Sequence, residues 1–348
     1  MPGGESRQGV SALTFLALRR LADGKFHSGE RIARSLGRSR ATLSEALKRA
    51  PELGISIFSV PGRGYRLAEP IEFLDQAEVS RALGDAGVRL DVVDEVDSTS
   101  TRLMSMAASG APSGTCLAAE WQSAGRGRRG RSWISSVGGS ITFSLLWRFE
   151  RGAGHLAGLS LAVGAAVARA LSANGVARVQ VKWPNDVVID FRKVAGILVE
   201  TQGELQGPSV AVVGVGVNYR LADRTLERID QAVTDVAHNA PRAPSRNALL
   251  ASLLAELAAT LRRFEAGGFA PERDAWRALH AYHGRPVRVL PASEPPYDAL
   301  VSDIAPDGAL IVTLPDGRSL SLASAEISLR GKPVSDTIYR HAARGEGV

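Results

Sequence analysis

Cysteine is almost absent: Cys116 stands alone among 348 residues. One cysteine cannot close an internal disulfide, so the fold must rest on its core, and a reducing cytoplasm is the expected compartment. Cys116 itself reads as a small buried hydrophobe. No apolar run approaches the roughly 18 residues of a membrane span, and the opening MPGGESRQGV lacks the apolar centre of a signal peptide. Neither a Walker A loop nor a Rossmann glycine fingerprint occurs, which argues against the two commonest nucleotide-binding motifs. The six histidines are His27, His155, His238, His280, His283 and His341. Only His280 and His283 are close in sequence, and no cysteine or aspartate cluster accompanies them, so a zinc centre is not expected. There is no internal repeat and no strong low-complexity segment.

What is present is unevenly placed. The chain is 45% hydrophobic, enough for two or three domains with their own cores. Residues 1–68 hold 12 Lys+Arg against 5 Asp+Glu, a net charge of +7, and the remaining residues hold 30 against 31. A basic segment joined to a nearly neutral body points to a small nucleic-acid module fused to something else.

Residues 1–9 are expected to be disordered. Apolar spacing predicts a helix over 11–21, a second over 29–36 capped by Ser28, and a third over 40–50 capped by Ser39. ISIFSV, PGRG and YRL then read as a β-hairpin, which makes a winged helix-turn-helix. On the third helix Arg40, Thr42, Ser44 and Lys48 suit phosphates and base edges, and Arg63 on the hairpin tip can reach a neighbouring backbone. A solvated helical surface is the plainer reading, and the charge concentration favours DNA. AEPIEFLD looks like a linker. Strand and helix signals then alternate to about residue 280 as a mixed sheet with helices packed on it. From about residue 284, short strands with Pro/Asp/Gly turns suggest a small antiparallel barrel. The expected class is α+β, with domains at 10–68, 69–283 and 284–331.

Four stretches carry candidate chemistry. In EWQSAGRGRRGRSW, glycines allow close backbone approach to a ligand, and arginines supply forked permanent charge. The stretch joins two apolar strands, so it reads as a site loop rather than a tail. VKWPNDVVIDFRKVAGILVE reads as three strands, with Lys182 and Lys193 on neighbouring strands and Asn185 and Asp186 nearby, a set suited to nucleotide phosphate and Mg²⁺. Alone it fits a solvated hairpin equally well. In VVGVGVN, Gly214, Gly216 and Asn218 share one face of a strand and leave a gap for a flat ligand, or for a closely packed helix. In EVDSTSTRL, Ser98 and Thr99 can cap a helix and present hydroxyls to a ligand.

Taken together, FHSGERIARSLGRSRATLSEAL, VPGRGYRL, DST, GRGRRGR.W, KWPND, RKVAGILVE, GVGVN and AEISLR appear in one order over about residues 12–330. In this the sequence resembles the biotin–protein ligases, and more narrowly the bacterial type that also represses the biotin genes. The resemblance implies a central domain like that of class II aminoacyl-tRNA synthetases and a C-terminal SH3-like β-barrel. It implies biotin and ATP as substrates and Mg²⁺ as the metal. Ser98, Thr99, Ser100 and Gln122 would frame biotin, with Arg126, Gly127 and Arg128 folded over it, Lys193 at its carboxylate and Gly196 on the floor. Arg128, Trp133, Lys182, Asn185, Asp186, Gly216, Asn218 and Arg330 would serve the nucleotide, with Glu326 beside Arg330 and Asp186 also at the metal. Lys193, Arg126, Arg128 and Asp186 would be catalytic. The implied partners are the biotin carboxyl carrier protein of acetyl-CoA carboxylase, operator DNA and, with adenylate bound, a second copy of the chain; no membrane is implied.

Two departures touch the site: Ser100 stands in DSTS where the family has an amide, and Ser123 follows Gln122. Pro51 ends the third helix early and bears on operator recognition. Lipoate ligation, biotin sensing without ligation, and a ligase whose winged helix no longer represses remain open at this point.

Overall fold

The computed structural model describes residues 12–204, 207–291, 294–323 and 327–331, the last segment by its backbone. The expected disorder of residues 1–9 lies outside these.

The N-terminal module is three helices and a hairpin: α1 (Ala12–Arg20), α2 (Gly29–Ser35), α3 (Arg40–Leu47), β1 (Ile57–Val60) and β2 (Gly64–Leu67). Ser28 and Ser39 cap α2 and α3 as expected, each accepting from the backbone N–H three residues on. Phe15, Leu18, Ile32, Leu43, Leu47, Leu53 and Leu67 close one core. The hairpin is fastened by reciprocal bonds between His27 and Tyr65, at 2.8 and 2.9 Å. Gly64 makes this approach possible, since a Cβ there would lie 2.0 Å from the His27 carbonyl oxygen. The third helix ends at Leu47, not at residue 50. Pro51 lacks an N–H and crowds the preceding turn, and the chain passes into a separate 3-10 turn, Ala50–Leu53.

AEPIEFLD is not a loose linker. Ile71 and Phe73 pack on the winged-helix core, and Leu74 is buried in the central one. The Glu72 carboxylate accepts from Ser245 Oγ at 2.5 Å, Arg246 N at 2.8 Å and Asn247 Nδ2 at 3.1 Å. A short helix, α4 (Gln76–Leu83), follows, capped by Asp75. Its sequence signal is weak because only Val79 and Leu83 are buried.

The central sheet contains β3 (Arg89–Val96), β4 (Thr115–Gln122), β5 (Ser140–Phe149), β6 (Val179–Lys182), β7 (Asp186–Ile189), β8 (Arg192–Gly203) and β9 (Ser209–Asn218), in the order β3-β4-β5-β9-β8-β7-β6. Only β3–β4 is parallel, so the sheet is mixed, as expected. Around it lie α5 (Thr99–Ala108), α6 (Leu159–Ala173), α7 (Asp223–Leu226), α8 (Val236–Asn239), α9 (Arg246–Gly267) and α10 (Arg273–Leu279). Side chains alternate across the strands. Phe143, Leu145, Val213 and Val215 join the core formed with α6 and α9. Leu146 and Val212 meet Leu103 and Ala107 of α5 on the opposite face.

Five antiparallel strands form the C-terminal sheet: β10 (Pro286–Pro291), β11 (Tyr297–Ile304), β12 (Leu310–Thr313), β13 (Ser319–Leu322) and β14 (Ile327–Gly331), ordered β13-β12-β11-β10-β14. It begins where the turn-rich texture predicted. Among the described residues no helix is long and apolar enough to cross a membrane.

One ion pair lies wholly inside. Arg246 Nη2 and Glu120 Oε2 are 3.0 Å apart, and both side chains are fully buried. Arg246 also donates to the Ser140 carbonyl at 2.8 Å and to the Glu72 carbonyl, while Glu120 accepts from the Leu74 N–H. A buried charge is tolerated only with such a set of partners. Glu120→Gln leaves the guanidinium uncompensated and is expected to cost about 3–5 kcal/mol, read as a lower urea midpoint; the doubly apolar Glu120→Leu/Arg246→Met chain should recover most of it. A single variant as stable as the parent would remove the pair from its anchoring role.

Candidate active site

The site lies on the α5 face of the sheet, where two glycines leave the strands bare. A Cβ on Gly214 would lie 2.5 Å from Ser100 Oγ, and one on Gly216 would lie 2.3 Å from the Trp133 ring. The closely packed alternative therefore holds over Gly214, where α5 lies through Ser100, and the space over Gly216 is filled by Trp133. Its indole N–H is buried without a hydrogen-bond partner.

All nine residues expected to frame biotin line one cavity: Ser98, Thr99, Ser100, Gln122, Arg126, Gly127, Arg128, Lys193 and Gly196. Local structure explains how four of them arrive. Ser98 caps α5 and so ends β3 at the cavity edge. Thr99 N and Oγ1 both donate to Gln122 Oε1, at 2.8 and 3.1 Å, which ties the start of α5 to the end of β4. Thr99 and Ser100 hydroxyls meet Ser144 Oγ at 2.8 and 3.0 Å. Ser100 thus completes a buried hydroxyl chain, while Ser123 is exposed.

The loop between β4 and β5 folds back on itself through Gly127 N to Arg131 O at 2.7 Å and Trp133 N to Gly125 O at 2.8 Å. A Cβ on Gly125 would lie 2.5 Å from the Trp133 carbonyl oxygen, so this glycine is needed for the approach. Arg128 Nη1 donates to Asn185 Oδ1 at 3.1 Å. Burial, and then Arg129 beside it, pulls the Arg128 guanidinium below its ordinary value. Arginine stays charged regardless, and the nearby Asp186 carboxylate offsets part of this. Beyond Trp133 the same loop leaves the site: Val137 is buried in the winged-helix core and donates its N–H to Leu53 O at 3.0 Å.

Asn185, Asp186, Trp133 and Gly216 line the same cavity. Lys193 Nζ is 2.7 Å from Asp186 Oδ1. The β7–β8 hairpin sets this distance: Asp190 and Phe191 form a two-residue turn, both in the left-handed region at φ 48° and 62°. Trp183, fully buried, holds the turn before Asn185 by donating Nε1–H at 3.1 Å to Gly308 O, in the turn between β11 and β12 of the C-terminal sheet.

The structure bears on three residues expected at the nucleotide, and it corrects the strand placement of one of them. Lys182 is not on a strand next to that of Lys193, because β7 lies between β6 and β8. It lines neither of the two cavities described here and sits 5.9 Å from the Tyr282 ring centroid. Asn218 lines an adjoining cavity, but its amide is spent on the Lys193 and Thr234 carbonyls, at 3.2 and 3.1 Å. Arg330 is described by its strand register alone, opposite Arg288, and Glu326 lies outside the described residues.

Sequence reasoning missed the adjoining cavity. It measures ≈ 310 Å³ and is lined by Arg228, Ile229, Asp230, Gln231 and Val233, which carry no motif. Arg131, Ser132, Trp133, Lys193 and Gln231 line both cavities, so the indole stands as a partition between them. The first cavity measures ≈ 90 Å³, below the roughly 300 Å³ at which small-molecule sites begin. Four cationic side chains, Arg126, Arg128, Arg131 and Lys193, line it against one carboxylate, Asp186.

A cationic double cleft on a mixed sheet, joined through its own loop to a winged helix, defines a two-module protein: one part handles anions, the other has a DNA-binding fold. The comparisons agree. Residues 92–218 match the biotin/lipoate A/B protein ligase family and residues 12–66 an HTH domain. The bifunctional ligase/repressor BirA of Escherichia coli K12 is 36% identical over 89% of this chain and 95% of its own, and that of Salmonella typhimurium 37% over 91% and 97%. The structure resembles that of a biotin protein ligase from Aquifex aeolicus in complex with biotin and ATP, with a TM-score of 0.60, 28% identity, and coverage of 70% of this chain and 99% of that one. The chain belongs to the family of bifunctional ligase/repressors of the biotin protein ligase type.

Gly216→Ala tests the packing of the floor. The added methyl is expected to expel Trp133, shifting its emission to the red and making it quenchable by acrylamide, relative to a Trp133→Phe reference. Unchanged emission would mean that the ring does not rest on Gly216.

Proposed function

We propose that the chain is an ATP-dependent biotin–protein ligase. It forms biotinyl-5′-adenylate and transfers biotin to a lysine of the biotin carboxyl carrier protein of acetyl-CoA carboxylase. The observation that carries the reading is the pair of adjoining cavities that share Lys193 and Trp133. A two-substrate condensation needs two pockets meeting at a cation, and Lys193 stands where they meet. The arginine-rich loop and the ligase relatives favour biotin over lipoate.

The chemistry follows from charge. A carboxylate is a poor acyl donor because oxide is a poor leaving group. Attack of the biotin carboxylate on the α-phosphorus of ATP forms the mixed anhydride and releases pyrophosphate. Two anions must meet, and Lys193, Arg126 and Arg128 offset their repulsion. Ser98, Thr99, Ser100 and Gln122 hold the polar head of biotin, while Gly127 and Gly196 let backbone approach it. The Arg228–Val233 segment, with Trp133 and Gly216, takes the nucleotide. Displacement of Trp133 and the loop makes room, and closure of the loop then shields the labile anhydride from water. The ε-amine of the acceptor lysine attacks the acyl carbon, and AMP leaves.

A magnesium ion fits as a substrate-borne metal. It takes one or two carboxylates and otherwise phosphates and water, and Asp186 is the single carboxylate lining the first cavity. No group of three or more metal-ligating side chains occurs among the described residues. Asp186 would hold the ion, which supplies charge neutralisation on the phosphates.

The winged helix serves as a repressor domain for operator DNA. Arg40, Thr42 and Arg63 are exposed, Ser44 is half-buried, and Lys48 is exposed and paired with Glu45 at 2.7 Å. An adenylate-dependent homodimer in the cytoplasm brings two such helices to paired half-sites. β8 offers an edge for it, since β7 pairs with it only between Arg192 and Gly196. We take the domains to be 10–68, 69–283 and 284–331, the second of the class II synthetase type and the third an SH3-like barrel.

Lys193→Ala is expected to slow pyrophosphate release from biotin and ATP by about 10²–10³-fold; a normal rate would remove Lys193 from the mechanism. On DNA from upstream of the host's biotin-synthesis genes, binding should tighten when biotin and Mg-ATP are both present. Arg40→Ala with Lys48→Ala should weaken that binding and lower its salt slope by about 1 per lost phosphate contact. An unchanged slope would place the recognition face elsewhere.

A further inference from the structure

Arg126 is expected at the ligand, yet its guanidinium is already engaged. Nη2 lies 2.9 Å from Glu200 Oε1, and Nη1 donates to Glu200 Oε2 at 3.1 Å. Nη1 also approaches Thr101 Oγ1 at 3.4 Å. This is a two-pronged, charge-assisted pair between residues 74 apart in sequence, linking the arginine loop to β8. By contrast, the Arg128 bond to Asn185 is made to a neutral amide.

We propose that Glu200 is a positioning residue that holds Arg126, and with it the arginine loop, until an anionic ligand takes the guanidinium from it. The inference rests on the adenylate-forming reading above. A carboxylate or phosphate in the cavity offers Arg126 the same two-oxygen acceptor that Glu200 offers. The two compete for the Nη1/Nη2 edge that Glu200 occupies, because that edge makes one two-pronged pair at a time. Glu200 can release its partner at small cost: its side chain is 22% exposed and the Arg126 side chain 47%, so water rehydrates the freed carboxylate. Asp186 and Lys193 repeat the arrangement at 2.7 Å on the other side of the cavity. Arg126 and Lys193, two of the cations that line the cavity, are thus stored on the protein's own carboxylates. This accounts for a cavity of only ≈ 90 Å³ although it is lined by long cationic side chains.

The thermodynamic sign follows. Glu200 stabilises the latched form, which the ligand must leave, so removing its charge shifts the population towards the binding-competent form. Glu200→Gln keeps size and one acceptor oxygen but abolishes the charge-assisted pair. Biotin is expected to associate about three- to fivefold faster and bind tighter by the same factor, the range of a partly exposed pair. Its release rate stays within about twofold, because the bound form no longer uses Glu200. Glu200→Ala should behave alike.

The experiment is stopped-flow fluorescence with free biotin on the full chain. It compares the parent, Glu200→Gln, Arg126→Ala and the double variant, with pyrophosphate release on adding ATP measured in parallel. A gain in the Arg126⁺ background that vanishes when Arg126 is alanine supports the latch. A gain that persists undiminished without Arg126 means that Glu200 acts through space on the ligand's charge, and overturns it. Equal association rates for parent and Glu200→Gln, with the parent forming adenylate normally, overturn the latch and leave the ligase reading intact. A parent that neither binds biotin nor releases pyrophosphate overturns both.

Discussion

The fully buried pair of Glu120 and Arg246 is the constraint on which the rest hangs. It sits where three parts of the chain meet: the end of β4, the first turn of α9 and the strap of residues 72–74. Neither charge tolerates burial without the other, so these three segments must assemble together. β4 then does three things in three consecutive residues. Glu120 anchors the core, Trp121 packs against the winged-helix core, and Gln122 receives both bonds from Thr99 at the cavity. Glu72 extends the same junction by accepting from Ser245, Arg246 and Asn247. The winged helix is joined to the body by a fastened strap rather than a hinge of free residues.

The site itself is built by subtraction and then by charge. Gly214 and Gly216 remove side chains where Ser100 and the Trp133 ring lie against the sheet. Around this floor four cationic side chains face a single carboxylate. Such a concentration of like charge is costly without anions. The protein offsets it with Asp186 on Lys193 and Glu200 on Arg126.

The arginine loop also joins the two functions. Three residues separate Trp133, which divides the two cavities, from Val137, which is buried in the winged-helix core and bonded to Leu53. A ligand that moves the indole therefore acts on a segment whose other end is part of the DNA-binding module.

Much of this was legible in the sequence. Periodicity and capping residues located α1, α2 and α3, because Ser28 and Ser39 act on neighbours three residues away. The capping signal at Ser98 and the glycine-rich loop of residues 125–130 were likewise readable, because both are local, although the fold is what brings them into one cavity. What local rules could not reach was decided by packing at a distance. The order of strands put β7 between Lys182 and Lys193. Glu72 and Ile71 turned an apparent linker into a strap by meeting residues some 170 positions away or in another core. The Arg228–Val233 wall carries no motif and became a cavity lining only through its approach to Trp133. Glu200 ended a motif as one more strand residue until the fold set it against Arg126. Sequence determined which chemistry the chain carries, since residue type is local. Tertiary structure decided which of those groups share a pocket and which carboxylate holds each cation, since both depend on contacts between residues far apart in the chain.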